Sequence, residues 1–167
     1  MDPIPVSNIS PPGGGDLQNR TLAYALFRLF LGVNIAMHGI SRLAFDPGKF
    51  HATIESQFAH TPLPYRLVAA FAVALPWTEA CLGLLLLVGL FTRTALICGA
   101  LLMAVLTFGS SLLQDWSIAG VQLIYAIAYF LLLFLLPCNG WSVDRRLRDW
   151  RLSRNSDCIT TSAPAGG

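Results

Sequence analysis

Charged residues are scarce in this sequence. Only 12% of the 167 residues are Asp, Glu, Lys or Arg, whereas 54% are hydrophobic and the mean hydropathy is +0.60. A soluble domain of this length carries about 25% charged residues. The composition therefore excludes an ordinary soluble domain and indicates a protein that lies within a lipid bilayer.

Cysteine pairs and catalytic motifs are also missing. The four cysteines are isolated, with no C-x-x-C pair and no spacing typical of metal ligands. No glycine-rich phosphate loop, nucleophile elbow or H-E-x-x-H motif occurs. We therefore predict no metal or haem site, interpret the cysteines as packing residues, and find no motif of a self-contained enzyme.

Long apolar segments make up most of what is present. Four of them, about 22–40, 67–91, 95–113 and 118–136, approach or exceed the length needed to cross a bilayer, which is about 20 residues. They are apolar on all sides, unlike the helices of a soluble protein. The sequence predicts an all-α, integral membrane four-helix bundle over residues 21–154, between disordered cytoplasmic tails at 1–20 and 155–167.

The distribution of Lys and Arg predicts the orientation. Seven of the ten that lie outside the predicted spans fall on the side that holds both termini, and three fall on the other side. Positive charge is enriched in cytoplasmic segments. We therefore predict a multi-pass protein of the bacterial inner membrane, with both termini cytoplasmic and Ser41–Arg66 as an external loop.

Two segments outside the spans have amphipathic patterns. In the external loop, Phe50, Ile54 and Phe58 recur at intervals of four residues, which predicts a short helix. That helix would lie either on the membrane surface or over the mouth of the bundle. After the last span, arginines alternate with Leu147 and Trp150, and beside a bilayer this pattern favours anionic lipid over nucleic acid as a partner.

Two ionisable residues fall inside the predicted spans. Arg28 precedes the external end of span one by 12 residues, and Glu79 follows the external end of span two by 12 residues. Both would lie about 18 Å deep on antiparallel helices, so we predict that they form an ion pair. The pair would either hold the bundle together or line a polar cavity for a quinone headgroup, a proton or a small substrate.

Other residues near this pair complete the candidate site. Gly32, Gly39 and Gly83 form small-residue stripes that allow two helices to approach closely. His38 could protonate a quinone oxygen or sense external pH, or it could instead bond to a loop carbonyl. Trp77 is expected in the outer half of span two. The predicted catalytic residues are His38, Glu79 and Arg28, and Trp77 joins these three as a predicted quinone-binding residue.

Three ordered motifs resemble the DoxX family of small four-span membrane proteins. They are Arg28, Gly32, His38-Gly39 and Arg42; then Glu79-Ala80-Cys81-Leu82-Gly83 with Gly89-Leu90-Phe91-Thr92-Arg93; and finally Gly140-Trp141-Ser142-Val143-Asp144. The resemblance implies a bundle related to the membrane subunit of thiosulfate:quinone oxidoreductase. Relatives in the wider superfamily include methylamine-utilisation proteins and vitamin K epoxide reductase-like proteins. The latter use a C-x-x-C pair that this chain lacks, which disfavours thiol–disulfide exchange.

Two classes of function follow from these observations. The first is a quinone-linked subunit of, or accessory to, a membrane oxidoreductase, in which Arg28 and Glu79 position and protonate the headgroup and His38 connects it to the external side. The second is a non-catalytic scaffold that recruits a redox partner or lipid. A small-solute carrier is a third option, which would require a homo-oligomer.

Overall fold

The computed structural model describes residues 14–45, 47–147, 149, 150 and 152, and the part of the chain that it describes contains helices and no strand. The α-helices are α1 (Gly14–Ala44), α2 (Pro47–Phe58), α3 (Tyr65–Val88), α4 (Thr92–Leu112) and α5 (Trp116–Phe134). A 3₁₀ turn, Leu136–Cys138, follows α5, and residues 143–147 are helical. The prediction of an all-α bundle is confirmed.

Four of these helices, α1, α3, α4 and α5, are long and apolar enough to cross a membrane. The first helix is longer than the predicted span, because α1 extends from Gly14 to Ala44 whereas the span was predicted over residues 22–40. Residues 14–20, which we predicted to be disordered, are therefore helical. The rest of the predicted tails, 1–13 and 155–167, lies outside the described residues.

The bundle consists of two closely packed pairs, α1 with α3 and α4 with α5, and α1 makes little contact with α5. Glycine determines how α1 meets α3. A Cβ atom on Gly39 would overlap the backbone of Ala80 and Pro76, and one on Gly83 would overlap Ala36. These positions allow the two backbones to touch, which fixes the register of α1 against α3.

A core of apolar side chains joins the two pairs. Its fully buried members are Tyr24, Leu31, Ile35, Leu82, Leu86, Ala95, Leu96, Met103, Tyr129 and Leu132. Within a bilayer such contacts stabilise a bundle mainly by close packing, because lipid tails are as apolar as the side chains themselves.

The two ends of the bundle differ. At one end, here called the α2 end, Ile54 and Phe58 of α2 line an apolar pocket with Phe71 of α3, and the Phe58 ring lies beside Gly109 of α4. Of the two placements predicted for this helix, the structure therefore favours packing against the bundle. At the other end, here called the turn end, the α3–α4 turn meets the segment 136–147.

Candidate site between helices α1, α3 and α5

Glu79 forms its ion pair with Arg42, and the predicted pair with Arg28 is absent. Glu79 is only 4% exposed, and Nη1 of Arg42 donates to its Oε2. Arg42 was predicted in the external loop, but α1 continues four residues beyond Ile40 and carries Arg42 within the helix. Arg42 also stacks on the Phe50 ring of α2, with its guanidinium carbon 4.7 Å from the ring centroid.

Arg28 lies at the turn end instead. Its Nη1 donates to Oδ1 of Asn139 (3.1 Å) and its Nη2 donates to the carbonyl oxygen of Trp141 (2.8 Å). Its guanidinium also lies against Gly89, which ends α3 with a φ of 72° and where any Cβ would overlap it. Gly89 follows Glu79 by ten residues, so about 15 Å of helix separates the levels of Arg28 and Glu79. The prediction that these two residues share a site was wrong.

His38 lies in a groove that opens beside α1. The groove has a volume of about 440 Å³ and is lined by Val33, Asn34, Met37, His38 and Ser41. The His38 imidazole meets the ring of Tyr125 on α5 edge to face, with centroids 6.5 Å apart. The Tyr125 hydroxyl donates to Oδ1 of Asn34 (2.8 Å). This hydrogen bond and the ring contact connect α1 to α5 beside the groove.

The groove and the ion pair belong to one polar region. His38 is close enough to Glu79 for their charges to interact, and Tyr129 of α5 also interacts electrostatically with Glu79. Tyr129 is fully buried, and its hydroxyl has no hydrogen-bond partner among the described residues. The region therefore combines a paired carboxylate, an imidazole and phenol groups within the membrane-spanning part of the bundle.

Trp77 does not belong to this region. Its side chain is 64% exposed on the outer surface of α3, whereas Glu79 two residues later faces the interior. Residues two apart on a helix point in nearly opposite directions. Trp77 therefore lies apart from the polar region, and its role in binding a quinone headgroup stays a prediction.

Asn34 and Tyr125 were not among the residues predicted from the sequence, and Arg42 was predicted to lie in the external loop. A signal for them exists in the spacing, because Asn34, His38 and Arg42 recur every four residues along α1. Tyr125 and Tyr129 show the same spacing on α5. Residues four apart share one helix face, so each polar stripe marks the face that turns towards the site.

The motif Ser142-Val143-Asp144 has a structural role at the turn end. Oδ1 of Asp144 accepts from the backbone N–H of Phe91 and Oδ2 accepts from that of Thr92, both at 2.8 Å. These bonds cap the start of α4, whose first N–H groups have no partner within the helix. The hydroxyl oxygen of Ser142 accepts from the N–H of Arg145 (3.3 Å) and so caps the helical segment 143–147.

No group of three or more His, Cys, Asp or Glu side chains converges as a metal site within the described ranges. The thiols of Cys81, Cys98 and Cys138 are free, and Cys158 lies outside the described residues. The polar region between α1, α3 and α5 is therefore the strongest candidate for a functional site.

The family model described as methylamine utilisation protein MauE matches residues 20–117, more than half of the chain. The chain belongs to this family. The matched range includes α1, α2, α3 and α4, and with them His38, Arg42 and Glu79. The protein is thus a multi-pass integral membrane protein of the MauE family. No curated protein and no solved structure shows significant similarity to it.

The resemblance to the DoxX family was therefore wrong, because the matching family model is MauE. The motifs behind that resemblance have structural explanations in this chain. Gly39 and Gly83 lie where two helix backbones touch, and Asp144 caps α4. Any small helical membrane bundle needs close crossings and capped helix ends, so such motifs do not distinguish one family from another.

Proposed function

We propose that this protein is a membrane accessory protein of small-amine oxidation that binds a quinone in the groove beside α1. The observation that carries the proposal is that Asn34 and His38 line this groove while both contact Tyr125 of α5, with the Arg42–Glu79 pair close to His38. Membership of a family described by methylamine utilisation supports the amine-oxidation context.

The size and lining of the groove suit a quinone headgroup. Its volume of about 440 Å³ falls in the range of small-molecule sites, which is roughly 300–1,000 Å³. Val33 and Met37 provide apolar contacts for a ring, and Asn34 and His38 provide polar groups on the same helix. A lipid-soluble ligand would reach these residues from the bilayer, because both polar side chains are exposed at the surface of the bundle.

The free hydrogen-bonding groups match the two carbonyl oxygens of a quinone. Tyr125 occupies Oδ1 of Asn34, which leaves the Asn34 amide N–H groups as donors. The His38 imidazole makes no hydrogen bond with any described residue, so its N–H is available as a second donor. In this proposal Asn34 and His38 hold the headgroup and His38 exchanges a proton with it.

The Arg42–Glu79 ion pair places two opposite charges close to the groove. Quinones carry electrons and protons together, and the electrons would be delivered by an oxidoreductase partner. Glu79 would place a negative charge close to His38, while Arg42 balances the carboxylate. Arg42, and not Arg28 as expected from the sequence, is thus the cation that pairs with Glu79. We further propose that both termini face the cytoplasm of a bacterial cell.

The test is retention of quinone by the purified protein. The wild type and His38→Ala would be extracted in mild detergent, and bound quinone would be quantified after solvent extraction. His60→Ala is the matched control, because His60 is exposed near the α2 end and outside the groove. We expect His38→Ala to lose most of the bound quinone and His60→Ala to retain it. Equal retention by both variants would reject the site and leave the scaffold role, which a copurifying oxidoreductase would then support.

A further inference from the structure

A second cavity lies at the turn end, far from the groove of the proposed function. It has a volume of about 430 Å³, and its walls come from the start of α4 and from the segment that follows α5. Arg93 and Arg145 contribute the charged part of its lining, with Thr92, Asn139 and Ser142 between them. Neither arginine forms an ion pair with another described residue. The cavity therefore presents two unneutralised guanidinium groups.

The one carboxylate in the lining does not cancel this charge fully. Both oxygens of Asp144 accept backbone N–H groups, those of Phe91 and Thr92. Arg28 lies behind the cavity, held by Asn139, and its charge interacts with that of Asp144. In and directly behind the cavity, three guanidinium groups and one carboxylate leave a net positive charge, which favours an anionic ligand.

A residue of the cavity lining carries a buried hydroxyl without a partner. Thr92 is 1% exposed and lines the cavity, yet its Oγ1 has no hydrogen-bond partner in the described part of the chain. Buried polar atoms in native proteins are nearly always hydrogen-bonded, to protein, water or a ligand. The hydroxyl can donate to an oxygen of an anion that the two arginines hold.

The position of the cavity relative to the spans indicates the source of that anion. Val88 ends α3, Thr92 begins α4 and Phe134 ends α5, and all three lie at the turn end. The ends of spans mark the level of the lipid headgroups. Phe134 and Trp141 are highly exposed there, as is usual for aromatic residues at a membrane interface. The phosphates of the bilayer are the anions found at this level.

We propose that the cavity between Arg93, Arg145 and Thr92 binds the phosphate group of an anionic phospholipid. The two guanidinium groups pair with the phosphate oxygens, and the Thr92 hydroxyl donates a further hydrogen bond. The acyl chains lie along the apolar outer faces of α4 and α5. Occupation of the cavity would tie the segment after α5 to the α3–α4 turn through a shared ligand.

The test measures lipid binding by the full-length protein in detergent, using native mass spectrometry with phosphatidylglycerol and phosphatidylcholine. We expect phosphatidylglycerol to bind more tightly, and Arg93→Gln and Arg145→Gln each to weaken it about fivefold. Arg66→Gln is the matched control, since it removes the same charge at the other end of α3. Equal binding of the two lipids, or an equal loss in Arg66→Gln, would overturn the proposal.

Two further arms make the assignment specific. Thr92→Val removes the hydroxyl but keeps the branched shape and the backbone N–H that Asp144 holds. We expect it to weaken phosphatidylglycerol binding by roughly tenfold, the effect of losing one hydrogen bond to a charged group. Thr94→Val, on an exposed position of the same helix, should have no effect. Displacement of the lipid by inorganic phosphate at similar concentration would overturn the lipid assignment in favour of a soluble phosphate compound.

Discussion

Removal of Arg42 should destabilise the bundle more than any other single change in the polar region. Glu79 is 5% exposed at its side chain, whereas the Arg42 side chain is 28% exposed. Arg42→Ala leaves a buried carboxylate without its cation, and breaking a buried pair in this way costs about 3–5 kcal/mol. Because Arg42 is partly exposed, we expect the lower end of that range, about 3 kcal/mol.

The reverse change should be milder. Glu79→Ala removes the buried carboxylate, and the Arg42 side chain is 28% exposed and keeps its contact with the Phe50 ring. We therefore expect Glu79→Ala to cost about 1–2 kcal/mol, mostly from lost packing. Arg42→Lys keeps the charge and should recover part of the loss, although a lysine cannot reproduce the geometry of the guanidinium.

A double-mutant cycle separates this pair from the one that the sequence suggested. The free energy of unfolding would be measured in mixed micelles by circular dichroism for the single and double variants. We expect Arg42 and Glu79 to be coupled by about 1–3 kcal/mol, as residues in contact are. Arg28 and Glu79 lie about 15 Å apart in level, so the changes in unfolding free energy caused by their two substitutions should add to within about 0.5 kcal/mol. A larger coupling for Arg28 than for Arg42 would refute the register of α1 against α3.

Three further outcomes are expected. Gly39→Val should prevent close contact of α1 with α3 and lower the yield of folded protein on size-exclusion chromatography, whereas Gly120→Ala, with open space around it, should not. Asp144→Ala should lower the unfolding free energy by about 1–2 kcal/mol through loss of the α4 cap, measured by the same denaturation. In a variant without native cysteines, an impermeant thiol reagent should label Ser56→Cys but not Arg146→Cys in intact bacteria; the opposite pattern would invert the predicted orientation.

Local composition alone determined the number and type of the elements. Four spans follow from apolar length, because a helix that crosses hydrocarbon must be apolar over about 20 residues whatever its neighbours are. Helix α2 was predicted in the same way, from the four-residue spacing of Phe50, Ile54 and Phe58. The spacing of apolar residues along a helix is a local property.

Tertiary structure decided which residues form the site. Counting depth from predicted span ends paired Glu79 with Arg28, because that count assumed that α1 and α3 end at the same level. The contact of Gly39 with the backbone of Ala80 instead sets the register and brings Arg42 to Glu79. Arg28 and Glu79 consequently lie about 15 Å apart in level, nearly three helical turns of about 5.4 Å.

The same reason applies to the contacts between distant segments. Tyr125 reaches Asn34 across 91 positions of sequence, and Asp144 reaches the start of α4 across 52. A hydropathy pattern records how each segment meets lipid or water, but it contains no information about the rotation of one helix relative to another. That rotation depends on the packing of all the side chains between the helices, so the groove and the cap became visible only in the folded bundle.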